Sequence, residues 1–101
     1  MKINIIGRKI NVRDSFKEVV EKKLAKLDKY FKDDASAYVT MSMEKNAERL
    51  EVTVTSGALL FRAEESADTF VNALDTAVDT IERQIRKILR PEGAGQCTMD
   101  N

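Results

Sequence analysis

Residues 65–90, ESADTFVNALDTAVDTIERQIRKILR, form the longest periodic stretch of the chain. Phe70, Leu74, Ala77, Val78, Ile81, Ile85 and Ile88 recur at helical spacing, so residues 66–90 read as one helix with an apolar face. Its charges are sorted along the axis. Asp68, Asp75 and Asp79 occupy the first half, and Arg83, Arg86, Lys87 and Arg90 the second. Arg90-Pro91 stops the helix, because proline disfavours the helical conformation of the residue before it. A helix with one apolar face needs a surface to bury it against, and the residues upstream supply one.

Working back from this helix, residues 59–63 read as a short strand and Gly57 as a turn. Residues 50–56, LEVTVTS, alternate, with Leu50, Val52 and Val54 apolar and Glu51, Thr53 and Thr55 polar. Residues 44–48 are a polar turn, and residues 37–43 alternate again, with Val39, Met41 and Met43 opposite Tyr38, Thr40 and Ser42. Over residues 14–32 the period is helical. Phe16, Val20, Leu24, Leu27 and Phe31 form a stripe that Val19 and Tyr30 widen. Ser15 and Glu18 have the spacing of a capping box, which predicts a start near Asp14 or Ser15. Residues 2–6 are a first strand with Ile3 and Ile5 on one side, ended by Gly7. The order is β-α-β-β-β-α. Three consecutive strands form an antiparallel meander with one solvated face. The expected fold is a two-layer α+β sandwich, a four-stranded sheet with both helices on one face. The first strand joins beside the meander at a position the pattern leaves open. Residues 1–90 make the domain, and residues 91–101 a tail or the start of a linker.

The composition narrows the function. The 101 residues carry 17 basic and 17 acidic side chains, so any nucleic-acid site must come from spatial sorting of charge. There is no histidine, which removes the commonest general base and zinc ligand, and a single cysteine, Cys97, which allows no disulfide framework. No catalytic residue, metal site, cofactor or small-molecule substrate is expected. Asp75 and Asp79 stand four apart, but nothing supplies the further ligands a hard cation wants. No apolar run is long enough for a membrane span and no signal peptide is legible, so the expected location is cytoplasmic.

Two basic rows remain. At about 100° per residue, Lys22, Lys26 and Lys29 fall on one flank of the first helix, with Lys23 nearer its apolar edge. Arg83, Lys87 and Arg90 share a flank of the last helix, with Arg86 to their side. Pairs four apart and matching to the helix dipole account for either row taken singly. Side by side on one sheet, the rows would merge into a patch suited to phosphates.

Four segments carry a family resemblance: INIIGRKINV near the start, EKKLAKLDKYF in the first helix, the strand LEVTV, and AEESADTFVNALDTAVDTIERQIRKI. In this order they resemble the ribosome hibernation-promoting factors, also called ribosome-associated inhibitor or protein Y and once described as sigma-54 modulation proteins. The resemblance implies a fold similar to double-stranded-RNA-binding domains. It also implies a partner, the small ribosomal subunit with its rRNA and proteins, bound in the mRNA channel at the A and P sites so that translation is blocked in stasis. Basic residues of the helices would face rRNA: Lys22, Lys23, Lys26, Lys29, Arg83, Arg86, Lys87 and Arg90, with Arg8 and Lys9 as weaker candidates. The domain alone would be monomeric. The chain departs from the family's pattern at Thr69-Phe70, where Met-Tyr is usual, and at Arg13, where a threonine usually opens the first helix. A protein-interaction module using the open sheet face, or a generic double-stranded-RNA binder, are the alternatives.

Overall fold

The computed structural model describes residues 1–31 and 35–88. The expectations for residues 32–34, for Arg90 and for the 91–101 tail with Cys97 lie outside the described residues. Four strands, β1 (Lys2–Gly7), β2 (Ala35–Glu44), β3 (Ala47–Ser56) and β4 (Leu59–Ala67), form one sheet in the order β1-β2-β3-β4. β1 runs parallel to β2, in register from Lys2 opposite Ser36 to Gly7 opposite Met41. The other neighbours are antiparallel. The position left open is therefore an edge, reached through a crossover that contains α1 (Asp14–Ala25). A parallel pair requires such a crossover.

The core lies between the sheet and its helices. Val39 and Met41 of β2, Leu50, Val52 and Val54 of β3, and Phe61 of β4 meet Val20 and Leu24 of α1. They also meet Leu74, Val78, Ile81 and Ile85 of α2 (Phe70–Ile88). Each large side chain buried here contributes about 1.5–3 kcal/mol. The period-2 alternation carries Tyr38, Thr40, Thr53 and Arg62 to the opposite, open face.

Strand direction then fixes helix direction. Three strands of alternating sense separate α1 from α2, an odd number, so the two helices run the same way. Their C-terminal halves, the basic ones, come to the same end of the molecule.

Four local expectations need correction. The first helix does not continue to residue 32; it stops at Ala25 and gives way to a 3-10 turn, Asp28–Tyr30. The Leu27 amide donates to the Leu24 carbonyl three residues back (2.9 Å), and Tyr30 and Phe31 repeat that pattern. The step from Leu24 to Leu27 suits either winding, so periodicity could not separate them.

The Ser15 capping box is absent. Arg13 is the N-cap, in extended conformation and without a side-chain cap, and its carbonyl accepts from the amides of Phe16 and Lys17.

The last helix starts at Phe70, not Ser66, because β4 continues to Ala67, which pairs with Glu48. Thr69 Oγ1 accepts from the Asn72 amide (3.2 Å) and Glu48 Oε1 from the Phe70 amide (2.6 Å). These satisfy donors that a helix start leaves open. Asp68 therefore lies before the helix.

Ile88 and Met43, both assigned to apolar faces, are 61% and 54% exposed, each lying at or next to the end of its element.

Both tight turns use left-handed residues. Gly57 has φ 59° between β3 and β4, and Lys45 has φ 57° between β2 and β3. Gly7 is required for space, since a Cβ there would lie 2.2 Å from the Ile10 carbonyl oxygen.

Candidate nucleic-acid interface

The seam between the two helices is organised by one carboxylate. Glu82 is only 8% exposed and is the buried charged residue among those described. Its position follows from the pattern: four after Val78 and three before Ile85, it sits on the buried flank of α2, turned toward α1. Lys26 Nζ lies 3.4 Å from Glu82 Oε1, while Lys29 Nζ at 3.9 Å and Arg86 Nη2 at 3.4 Å approach Oε2. The Tyr30 hydroxyl donates to Glu82 Oε2 (3.1 Å) and accepts from Arg86 Nε (3.1 Å). A buried carboxylate is tolerated when it is paired and hydrogen-bonded in this way. The hydrogen bond to the Tyr30 hydroxyl, aided by the charge of Glu82, holds Arg86 above the ordinary guanidinium value, so it remains cationic. Lys29 also stands over the Tyr30 ring, 5.3 Å from its centroid.

The break after Ala25 makes this cluster possible. Lys26 is the C-cap of α1, Leu27 drops into the core, and the 3-10 turn that follows presents Lys29 and the Tyr30 hydroxyl to α2. Tyr30, read from the sequence as a core residue, half-buries its ring and contributes its hydroxyl to the site.

The structure thus merges two of the predicted row members, Lys26 and Lys29, with Arg86. Of the basic residues of α2, Arg86, placed to the side of its row, is the one that joins this cluster, through Glu82 and the Tyr30 hydroxyl. Lys23 pairs instead with Asp75 (2.5 Å), a second link between the helices nearer their N-termini. Arg83 pairs along its own helix with Asp79 (3.0 Å). Such exposed pairs contribute at most about 1 kcal/mol. These links also answer the acidic pair: Asp75 and Asp79 are each engaged by a cation. No three metal-ligating side chains converge among the described residues. Lys22 and Lys87 are exposed and make no ion pair with another described residue, so they extend the cationic surface outward. Arg8 and Lys9 are not brought to this cluster. They follow β1 at the end where α1 begins, and α1 separates them from Lys26 by about 18 Å of helix. Arg8 donates its amide to the Met41 carbonyl (2.8 Å), and Lys9 takes the left-handed conformation of the turn (φ 60°).

Around the seam the cations outnumber the carboxylates, and two of them, Lys29 and Arg86, are each held by more than one contact. Ammonium and guanidinium groups gathered in this way have the donor chemistry that suits phosphate oxygens, with Arg86 carrying a forked donor.

Comparison with known proteins identifies the kinship of this arrangement. Residues 3–90 match the sequence model of the family described as sigma 54 modulation protein / S30EA ribosomal protein. The chain belongs to that family. Among its relatives, the ribosome hibernation promotion factor of Lactococcus lactis is 38% identical over 91 residues, which are 86% of this chain and 49% of the relative. The ribosome hibernation promoting factor of Azotobacter vinelandii is 33% identical over 88 residues, covering 86% of this chain and 81% of the relative. The chain thus spans about half the length of the Lactococcus relative and most of the Azotobacter one. Among solved structures, the Protein Y N-terminal domain of Thermus thermophilus superposes with a TM-score of 0.79 at 36% identity, over 86% of this chain and 98% of that one. A ribosomal subunit interface protein of Coxiella burnetii shares the fold with a TM-score of 0.75 at 18% identity, over 86% and 96% of the two chains. The α+β sandwich and the family membership expected from the sequence are both correct.

Proposed function

We propose that this chain is a ribosome hibernation factor that binds the small ribosomal subunit in the channel of mRNA and of A- and P-site tRNA, and inhibits translation by occupying it. Residues 1–90 form the binding domain, and no reaction is catalysed. The observation that carries this reading is the cationic seam, where Lys26, Lys29 and Arg86 are fixed on Glu82, flanked by Lys22, Lys23, Arg83 and Lys87. The names of the family's relatives point to the ribosome, and the seam supplies a chemistry that fits rRNA phosphates.

The open sheet face fits a protein partner less well. Its arginines are paired with glutamates. At the β4 edge, Gln84 donates to the Arg62 carbonyl (3.0 Å) and accepts from the Arg62 amide (3.3 Å), closing that point to an added strand.

The test is sedimentation with small subunits over a salt series, with and without bound tRNA. Binding weakens steeply with salt and falls when tRNA occupies the channel. Replacing Lys26, Lys29, Arg83 and Lys87 together by glutamine lowers affinity by roughly two to three orders of magnitude and flattens the salt slope by about 3. Glutamine is preferred to glutamate because an acid at residue 26 or 29 would stand against Glu82 and disturb the fold. Unchanged sedimentation of this variant would refute the proposal. Duplex RNA that competes as well as subunits do would favour a generic double-stranded-RNA binder.

A further inference from the structure

Glu82 is out of place by charge alone. It is an acid at the centre of the surface that is to meet phosphates, and simple electrostatics would have it weaken binding. Its geometry gives it another role. Lys26 comes from the end of α1, Lys29 and Tyr30 from the 3-10 turn, and Arg86 from α2, and all four converge on its two oxygens. Without that carboxylate, three like charges at close range would repel one another, and all three sit on long side chains free to swing into solvent. With it, they are held in one fan whose single counter-charge cannot neutralise them all.

We propose that Glu82 is a positioning residue, which fixes Lys26, Lys29 and Arg86 in a preorganised site for RNA phosphates at the helix seam. This rests on the ribosome-binding reading for its natural ligand, but its physical content concerns any phosphate backbone. Preorganisation matters because ordering each long side chain at the moment of binding would otherwise be subtracted from the affinity. Tyr30 extends the device, since its hydroxyl bridges Glu82 and Arg86 and orients the guanidinium edge.

The two views of Glu82 differ in sign. Glu82→Gln keeps an acceptor for the Tyr30 hydroxyl and removes the charge. If the acid only weakens the local field, the variant binds more tightly and with a steeper salt dependence. If it positions the cations, binding weakens by about threefold to tenfold, the range expected for groups coupled in one network, and the salt slope becomes shallower. Affinity is measured for purified small subunits and for a short labelled RNA duplex. Alongside it, nuclear magnetic resonance of the Arg86 Nε–H group is expected to show a rigid side chain in the wild type and a mobile one in Glu82→Gln. Should Glu82→Gln fold poorly, Tyr30→Phe shifts affinity and Arg86 mobility in the same direction by a smaller amount.

Equal or tighter binding by folded Glu82→Gln overturns the proposal, as does an Arg86 side chain equally rigid in both proteins. A wild type that binds duplex but not subunits removes the ribosome reading and leaves Glu82 judged on the duplex. A wild type that binds neither overturns both.

Discussion

The helix seam and the open face of β3 and β4 are both built from arginines, glutamates and hydrogen bonds, yet they present opposite surfaces. On the sheet, the acids match or exceed the bases. Arg49 lies 2.5 Å from Glu64 and 3.4 Å from Glu44, and Arg62 lies 2.7 Å from Glu64 and in contact with Glu51. Cross-strand pairing sets this up, because Glu51 stands opposite Glu64 and Thr53 opposite Arg62, so acids and bases alternate within reach. At the seam, one buried acid gathers three bases and the remainder of their charge faces outward. The lesson is that a chain with balanced formal charge can still build a cationic face, by matching bases with acids on the sheet and leaving the bases in excess at the seam.

The largest test of this contrast sets the two faces against each other. The glutamine variant at residues 26, 29, 83 and 87 should lose binding to small subunits by orders of magnitude. Arg49→Gln with Arg62→Gln should remain within about twofold of the wild type at the same salt, since those side chains are already paired. A comparable loss in both variants would make the sheet part of the interface.

A smaller effect is expected from Glu48→Ala, which removes the carboxylate that accepts from the Phe70 amide. The loss of this cap should cost about 1 kcal/mol, seen as a lowered denaturation midpoint. It should also speed hydrogen exchange in the first turn of α2. The β3–β4 face and the C-terminal seam should keep their protection, because the cap lies at the far end of the helix from Glu82.

The smallest effect concerns acid. Hydrogen bonding to Glu51 and to Arg49, together with the charges of Arg49 and Arg62, holds the Glu64 carboxyl below its ordinary value of 4.5. A carboxyl depressed in the folded state stabilises the fold above the unfolded value and loses that contribution as pH falls through the folded one. The wild type should therefore hold a slight stability advantage over Glu64→Gln near neutrality and lose it as the pH falls below about 4.5. Equal acid profiles would show that the exposed network contributes nothing measurable, as solvent screening allows.

Much of this molecule was legible in one dimension. Alternation in residues 37–43 and 50–56 placed Val39, Met41, Val52 and Val54 in the core, and helical spacing did the same for Leu24, Leu74, Ile81 and Ile85. Burial acts on every residue of a periodic face, so the signal accumulates. The points that were misread are those where one residue decides. Ser66 and Ala67 continue β4 because Ala67 pairs with Glu48, a partner nearly twenty residues away in sequence that no local pattern reveals. The helix break after Ala25 is invisible to periodicity because a step of three fits both windings.

The candidate site divides in the same way. Its basic residues could be named from the sequence, since their number and spacing are written there. Glu82 and Tyr30 could not be given their roles, although the place of Glu82 between Val78 and Ile85 was a signal of partial burial. Which lysine meets which acid depended on the sheet: its edge placement of β1 and the three strands between the helices bring two basic C-terminal halves together in parallel. The sequence by itself determined the elements, their buried faces and the supply of cations, because those follow from local periodicity and composition. Only the tertiary structure decided that Lys26, Lys29 and Arg86 share one carboxylate, because electrostatic pairing depends on distances that chain separation does not encode.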